Sequence, residues 1–234
     1  MDDLSPVGIK IGMLGTAEII GVVGDMLKKM KESSSKKVWI VLDPVMISTS
    51  GAKLIDDDAI EAMVKKIFPL ADIVTPNKFE AEALLQRELK TPEDVENGAK
   101  DLLAMGCKGV LIKGGHTLTD KKDVSADLKA TLAYAQDYLL TSDSLEGEER
   151  LCDSLTGVWI RTMRWDNSNT HGTGCTLSSS IASALALGEK ERNDKDAANG
   201  ATGVIGLTDA CCLAKAYVSA GIQLGVKLGK GKIQ

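Results

Sequence analysis

The sequence predicts an α/β protein with a mostly parallel central sheet, and three observations carry that expectation. Short apolar runs alternate with amphipathic stretches of helical period, as in strands joined by crossover helices. One run, Val38 to Leu42 (Val-Trp-Ile-Val-Leu), is apolar at every position, as a strand is when helices cover both faces of its sheet. The runs end in turns of glycine, proline and polar residues, on the edge where such sheets gather their ligands. The crossovers are expected to be right-handed.

Taken in order, Val7 to Gly12 is a first short strand. Thr16 to Met30 follows as a helix, with Thr16 as N-cap and Ile19, Ile20, Val23, Met26 and Leu27 as its buried face. Lys31 to Lys37 is a polar turn leading into Val38–Leu42. Asp56 to Phe68 is helical, Asp72 to Thr75 is a strand stopped by Pro76, and Asn77 to Arg87 is a helix. Thr91 to Met105 is a further helix: Thr91 caps it, Pro92 takes the first position, and Asp94 comes close to a capping box. Lys108 to Ile112 is a strand that ends at Lys113-Gly114-Gly115. From Thr117 to Asn169 the alternation breaks down, and Gly157 to Met163 is the best strand there. Gly174 to Leu187 is a helix with the apolar stripe Leu177, Ile181, Ala184 and Leu185. Gly188 to Gly206 is polar and Gly-rich, a surface insertion. Thr208 to Leu228 is a long terminal helix capped by Thr208. With no internal repeat and no convincing linker, residues 1–234 are expected to form one domain, with insertions at 117–156 and 188–206.

Composition narrows the function. Hydrophobic residues make up 44% and charged residues 26% of the chain, as in a soluble globular protein, and with 3% aromatics the core must be aliphatic. A formal net charge of -5 argues against nucleic acid as the main partner. No apolar run is long enough to span a membrane, and the acidic Met1-Asp2-Asp3-Leu4 is unlike a targeting peptide. Five cysteines (107, 152, 175, 211 and 212) without CxxC spacing favour reduced thiols in a cytoplasmic setting.

The most informative stretch is Thr170 to Ser179, Thr-His-Gly-Thr-Gly-Cys-Thr-Leu-Ser-Ser. A loop with two glycines runs straight into a helix start, where main-chain N–H groups converge and the helix dipole adds positive charge. Such a place holds an anion, most naturally a phosphate. Cys175 falls in the first turn, where a thiolate is favoured. The chemistry suggested is phosphoryl transfer beside Cys175. Other strand ends fall on the same edge: Gly12-Met13-Leu14, Asp43-Pro44-Val45-Met46, Thr75-Pro76-Asn77 and Lys113-Gly114-Gly115. Their convergence is a stronger signal than any one motif.

Five segments in order carry a family resemblance: Lys10-Ile-Gly-Met-Leu14, Val41-Leu-Asp-Pro-Val-Met46, Thr75-Pro-Asn77 with Glu80-Ala-Glu82, Met105-Gly-Cys107 followed by Val110 to His116, and Thr170 to Thr176. They closely resemble the hydroxymethylpyrimidine/phosphomethylpyrimidine kinases of thiamin biosynthesis, a branch of the ribokinase-like superfamily. The terminal stretch Asp209 to Val218 is similar to that family's last helix. The resemblance covers most of residues 8 to 187 and 207 to 230.

It implies a Rossmann-like, ribokinase-type three-layer fold that phosphorylates 4-amino-5-hydroxymethyl-2-methylpyrimidine, and then its monophosphate, with ATP and Mg2+. It places an anion hole at Gly172, Thr173 and Gly174, the base at Cys175, and pyrimidine-pocket walls at Met13 and Val45. Asn77 and Glu80 match a signature that organises magnesium and phosphate, with Asn77, Lys113 and Thr173 toward the nucleotide. Lys113 matches a lysine near the transferred phosphates, and Asp43 a strand-end carboxylate near the metal, so that Asp43 and Glu80 are the metal candidates. The family's first strand, its early helix and a glutamine for the pyrimidine edge have no counterpart before Met1, so the chain is expected to lack the usual N-terminal strand(s). A homodimer and fusion to another thiamin-pathway domain are further implications.

The same residues admit plainer readings. Cys175 fits a small buried residue capping a helix, Lys113 a solvated strand-end lysine, Asp43 an acceptor closing the Pro44 turn, Glu80 a helix-start carboxylate, and Met13 and Val45 plain core. Lys28, Lys29, Lys31, Lys36 and Lys37 read as a solvated cluster. His116 and His171 read as loop residues, since no Gly-x-Ser-x-Gly elbow accompanies them. Adjacent Cys211 and Cys212 face different directions on a helix, which disfavours a metal. The competing functions are a pyridoxal-type vitamin kinase and a non-catalytic ligand-binding fragment of a kinase.

Overall fold

The structure is a computed structural model that describes residues 6–34, 37–47, 53–114, 134–142, 156–165, 167, 170–196 and 205–226. Among the described residues six strands form one sheet in chain order: β1 Gly8–Ile11, β2 Trp39–Leu42, β3 Ile73–Val74, β4 Gly109–Gly114, β5 Tyr134–Thr141 and β6 Thr156–Met163. The first four pair in parallel, and β5 and β6 are added antiparallel. The α/β expectation and the mostly parallel sheet hold.

Alternation along the buried strands divides the helices into two layers. Ile40, Leu42, Val74, Val110 and Ile112 face α1 (Ala17–Ser33), α2 (Asp57–Lys66), α3 (Lys78–Leu85) and α4 (Pro92–Ala104). Trp39, Val41, Ile73, Leu111 and Leu139 face α5 (Thr173–Asp196) and α6 (Leu207–Gln223). The first core is filled by Ile20, Met63, Ile67, Phe68 and Leu102, the second by Leu177, Ile181, Leu185 and Cys211. Such a three-layer arrangement leaves one end of the sheet open between its helical covers, and the site lies there.

The caps explain where the helices begin. Thr16 accepts from the N–H of Ile19, and Thr91 and Asp94 form a reciprocal box around Pro92. Asn77 forms another such box with Glu80, so α3 starts one residue later than expected.

Several expectations need correction. Ile19 and Met26 are not buried: they are about half exposed, and α1 turns Ile20, Gly24 and Leu27 inward instead. Gly24 lacks a side chain and so lets Lys66 and Ile67 come close. Lys31 is not a solvated lysine. It continues α1, donates to Leu70 O and lies 3.7 Å from the buried Asp72. Burial holds its ammonium below the usual lysine range, with Asp72 opposing. Thr208 is not a cap: α6 starts at Leu207, buried against the second core, and Asp209 reaches back to the N–H of Gly206. α5 continues past Leu187 to Asp196, into the segment expected to be an insertion. β5 lies inside the other expected insertion, 117–156. Cys152, His116 and Lys36 lie outside the described residues.

Candidate active site at the carboxyl ends of the parallel strands

β1 to β4 deliver Met13, Asp43, Val45, Asn77 and Lys113 to one edge of the sheet, and α5 begins on the same edge. Lys113 joins these parts. Its N–H donates to Pro76 O at 2.8 Å, which fixes the end of β4 against the turn after β3. Its Nζ lies 2.8 Å from Asp43 Oδ1, and only 15% of its side chain is exposed. It is therefore not a solvated strand-end lysine.

Asp43 is 1% exposed and bound on both oxygens. Thr75 Oγ1 stands 3.3 Å from Oδ1, Ser178 Oγ stands 3.2 Å from Oδ2, and Lys10 Nζ lies 4.0 Å from Oδ2. Ser178 is on α5, so the carboxylate ties the second strand to the anion-binding helix. Its side chain does not close the Pro44 turn; there the N–H of Val45 takes the carbonyl of Asp43. A carboxylate this deep is tolerable only with such partners. Removing one of them would cost several kcal/mol, about 3–5 where an ion pair is broken.

At the start of α5, Gly172 has φ +81°, the left-handed region open to glycine. The turn this creates folds Thr173 onto Thr170: the N–H and the hydroxyl of Thr173 both reach Thr170 O, at 3.3 and 2.8 Å. The N–H and the hydroxyl of Thr176 both reach Gly172 O at 2.9 Å. Among the described residues, the N–H groups of Gly174 and Cys175 have no protein acceptor. Of the expected Gly172–Gly174 set, the Thr173 N–H is therefore taken, while among the described residues those of Gly172 and Gly174 stay open and that of Cys175 adds another. Gly174 also admits Lys113, whose Nζ would stand 3.2 Å from a Cβ at that position. Two main-chain donors, a helix N-terminus and one ammonium meet at this point, which suits a tetrahedral anion. Cys175 is exposed rather than buried, beside the open amides.

Glu80 is buried, and Asn77 is its partner in the capping box: Asn77 N–H donates to Glu80 Oε2 at 2.7 Å, and Glu80 N–H donates to Asn77 Oδ1 at 2.9 Å. Burial pushes the Glu80 carboxyl up to about 7; Lys113 and the Asn77 N–H pull it down, and Asp43 adds to the rise. So Glu80 is a helix-start carboxylate that also feels the charges of the site. Met13 stands 57% exposed after β1, and Val45 is half-buried after β2. Among the described residues no three His, Cys, Asp or Glu side chains cluster as a metal cage. Asp43 and Glu80 fit Mg2+ only in its usual manner, with one or two carboxylates and the other ligands from water and phosphate.

Sequence reasoning missed Lys10, Thr75 and Ser178 as site residues. Lys10 was visible in principle: it sits between Ile9 and Ile11, so period-two alternation turns it to the opposite face, that of α5. Ser178 lies three residues after Cys175 and so shares its helix face. A groove of about 650 Å³ opens from Cys175 between α5 and α6, walled by Ser179, Ser183, Leu187, Leu213 and Tyr217.

Residues 1–234 match the family model described as phosphomethylpyrimidine kinase. The hydroxymethylpyrimidine/phosphomethylpyrimidine kinase of Haemophilus influenzae is 33% identical over 98% of this chain, which spans 70% of that protein. The thiamine biosynthesis bifunctional protein ThiED of Geobacter sulfurreducens is 32% identical over 95% of this chain, which spans 36% of that protein. Among solved structures, pyridoxal kinase of Bacillus subtilis in an ADP complex superposes with a TM-score of 0.69 at 27% identity, covering 97% of this chain and 68% of that one.

Proposed function

This chain belongs to the phosphomethylpyrimidine kinase family, and on that footing we propose that it transfers a phosphoryl group from ATP to the hydroxymethyl group of 4-amino-5-hydroxymethyl-2-methylpyrimidine and to the resulting monophosphate. The observation that carries the reading is the meeting of Lys113 with the open N–H groups of Gly174 and Cys175.

Phosphoryl transfer asks for positioning and charge neutralisation more than for covalent chemistry. The N–H groups of Gly174 and Cys175 and the Lys113 ammonium face the oxygens of the transferred group, and a single preorganised donor of this kind contributes about 10²–10³ in rate. The acceptor hydroxyl forms the new O–P bond while the bond from the γ-phosphorus to its bridging oxygen breaks, and ADP leaves with that electron pair. The hydroxyl proton passes to Cys175 Sγ, which acts as the general base. Asp43 and Glu80 would hold Mg2+, which supplies further neutralisation of the phosphate charge when bound. Met13 and Val45 would line the pyrimidine pocket, and Asn77 and Thr173 would stand toward the nucleotide. The groove between α5 and α6 has the size of a small-molecule site, roughly 300–1,000 Å³, and its Leu213 and Tyr217 wall suits the nucleotide's base.

Free thiols at Cys107, Cys175, Cys211 and Cys212 fit a cytoplasmic setting, and no helix among the described residues is long and apolar enough to cross a membrane. The Geobacter relative supports fusion to another thiamin-pathway domain as one form of the whole protein. A second reading, pyridoxal as acceptor, is favoured by the likeness to the Bacillus enzyme. A direct test offers γ-labelled ATP with the pyrimidine, its monophosphate and pyridoxal in parallel. Label on the first two supports the proposal, label on pyridoxal alone supports the second reading, and label on none refutes both.

A further inference from the structure

A second buried ion pair lies beside the first, and the chemistry above makes no use of it. Asp137 on β5 stands directly opposite Lys113 in the antiparallel β4–β5 ladder. Side chains so placed rise from one face of the sheet with Cβ atoms about 4.5–5.5 Å apart. Their neighbours Leu111 and Leu139, two residues along each strand, identify that face as the one covered by α5 and α6. Lys113 therefore has two carboxylates within reach of its flexible stem, Asp43 and Asp137. It bonds the first, at 2.8 Å.

The second carboxylate is already taken. Asp137 Oδ1 accepts the N–H of Gly114 at 2.9 Å, and Oδ2 accepts Lys215 Nζ at 2.7 Å. Asp137 is 3% exposed and Lys215 8%. Lys215 comes from α6, 78 positions away in the chain, and brings an ammonium through the second core to one strand-end oxygen. Burying a lysine there costs desolvation, which only the paired carboxylate offsets.

We propose that Lys215 is a positioning residue: by occupying Asp137 it leaves Lys113 bound to Asp43 and held beside Gly174, where the anion is gripped. The inference rests on the reading of Lys113 as a phosphate contact. It predicts an asymmetry. Lys215→Met leaves a buried carboxylate without its counter-charge opposite Lys113, which draws the ammonium away from Asp43. Asp137→Asn breaks the same pair but leaves no competing carboxylate. A pair that served stability alone would give equal losses of activity.

The test measures kcat and KM with MgATP and the hydroxymethylpyrimidine for the full chain and its variants, at a temperature where melting curves show each one folded. For Lys215→Met, kcat is expected to fall about a hundredfold, the usual effect of losing one preorganised charge contact. Asp137→Asn should lose far less, the double variant should return to the Asp137→Asn level, and Lys215→Arg should keep most activity. Equal losses in the two single variants overturn the proposal. Lys215→Gln keeps a hydrogen bond to Asp137 without the charge and replaces the Met variant if that one does not fold. A crystal structure of the Lys215 variant decides independently of turnover. Lys113 Nζ on Asp137 is the expected result, and Lys113 Nζ still on Asp43 refutes the inference. If the wild type phosphorylates no acceptor, the functional reading fails by itself, while the crystallographic arm still decides the placement of Lys113.

Discussion

Replacing Glu80 by Gln should change how the stability of this protein depends on pH. Glu80 is 2% exposed, and burial raises its carboxyl from 4.5 to about 7. The folded state therefore binds this proton more tightly than the unfolded chain does. The stabilisation is complete below about pH 4.5 and is lost as pH rises through about 7. The gap between those two values corresponds to about 3 kcal/mol. Gln cannot ionise, yet its carbonyl can still accept the Asn77 N–H, so the cap of α3 is retained. Urea unfolding of wild type and variant, in chelator and at intervals from pH 4.5 to 8, measures the effect. Other carboxylates contribute equally to both proteins and cancel in the difference. Relative to wild type, Glu80→Gln should gain about 3 kcal/mol across the window. Parallel curves would show that Glu80 keeps an ordinary carboxyl in the folded state and would refute the reasoning.

Cys175→Ala should lower kcat by about 10²–10⁴ with little change in melting temperature, because Cys175 is exposed; full turnover in steady-state assays would remove the thiol from the mechanism. Gly174→Ala puts a methyl 3.2 Å from an ammonium already pinned by Asp43, so ATP-dependent turnover should fall about tenfold, or about 1.4 kcal/mol, which steady-state kinetics will read. Asp72→Ala acts at the other end of the sheet, where the buried carboxylate takes the Ile40 N–H at 2.8 Å and Lys108 at 3.1 Å with Lys31 nearby. Denaturant unfolding should show a loss of about 3–5 kcal/mol, while the folded fraction keeps its kinetic constants.

Local signals made much of the fold legible. Val38–Leu42 is apolar throughout because both faces of β2 are covered, and Thr16, Thr91 and Asp94 carry their cap chemistry in the sequence. What escaped depends on partners far along the chain. β5 was illegible because its first half, Tyr-Ala-Gln-Asp, has no strand pattern, and its buried Asp137 makes sense only with Lys215 beside it. α1 was read about one position out, since Gly24 carries no hydropathic signal although it is the contact point with α2. Lys31 looked solvated until Asp72, on a different element, came within 3.7 Å.

The site divides in the same way. Strand ends and the glycine loop marked where Asp43, Lys113 and Cys175 would gather. The open amides could not be assigned from composition, because the hydroxyl and N–H of Thr173 turn back onto Thr170, while among the described residues the N–H groups of Gly172, Gly174 and Cys175 stay open. Ser178 and Lys10 joined the network through Asp43, whose bonds span 135 positions to Ser178. That carboxylate converts separate motifs into one site.

The most direct measurement is a rapid-quench single turnover with γ-labelled ATP, saturating hydroxymethylpyrimidine and either wild type or Lys113→Met, with ATP affinity measured alongside. If Lys113 and the α5 amides grip the group in flight, the variant's transfer step should slow by about 10²–10³ while ATP binding weakens much less. An unchanged transfer rate in the variant, or a loss confined to ATP binding, would contradict the account.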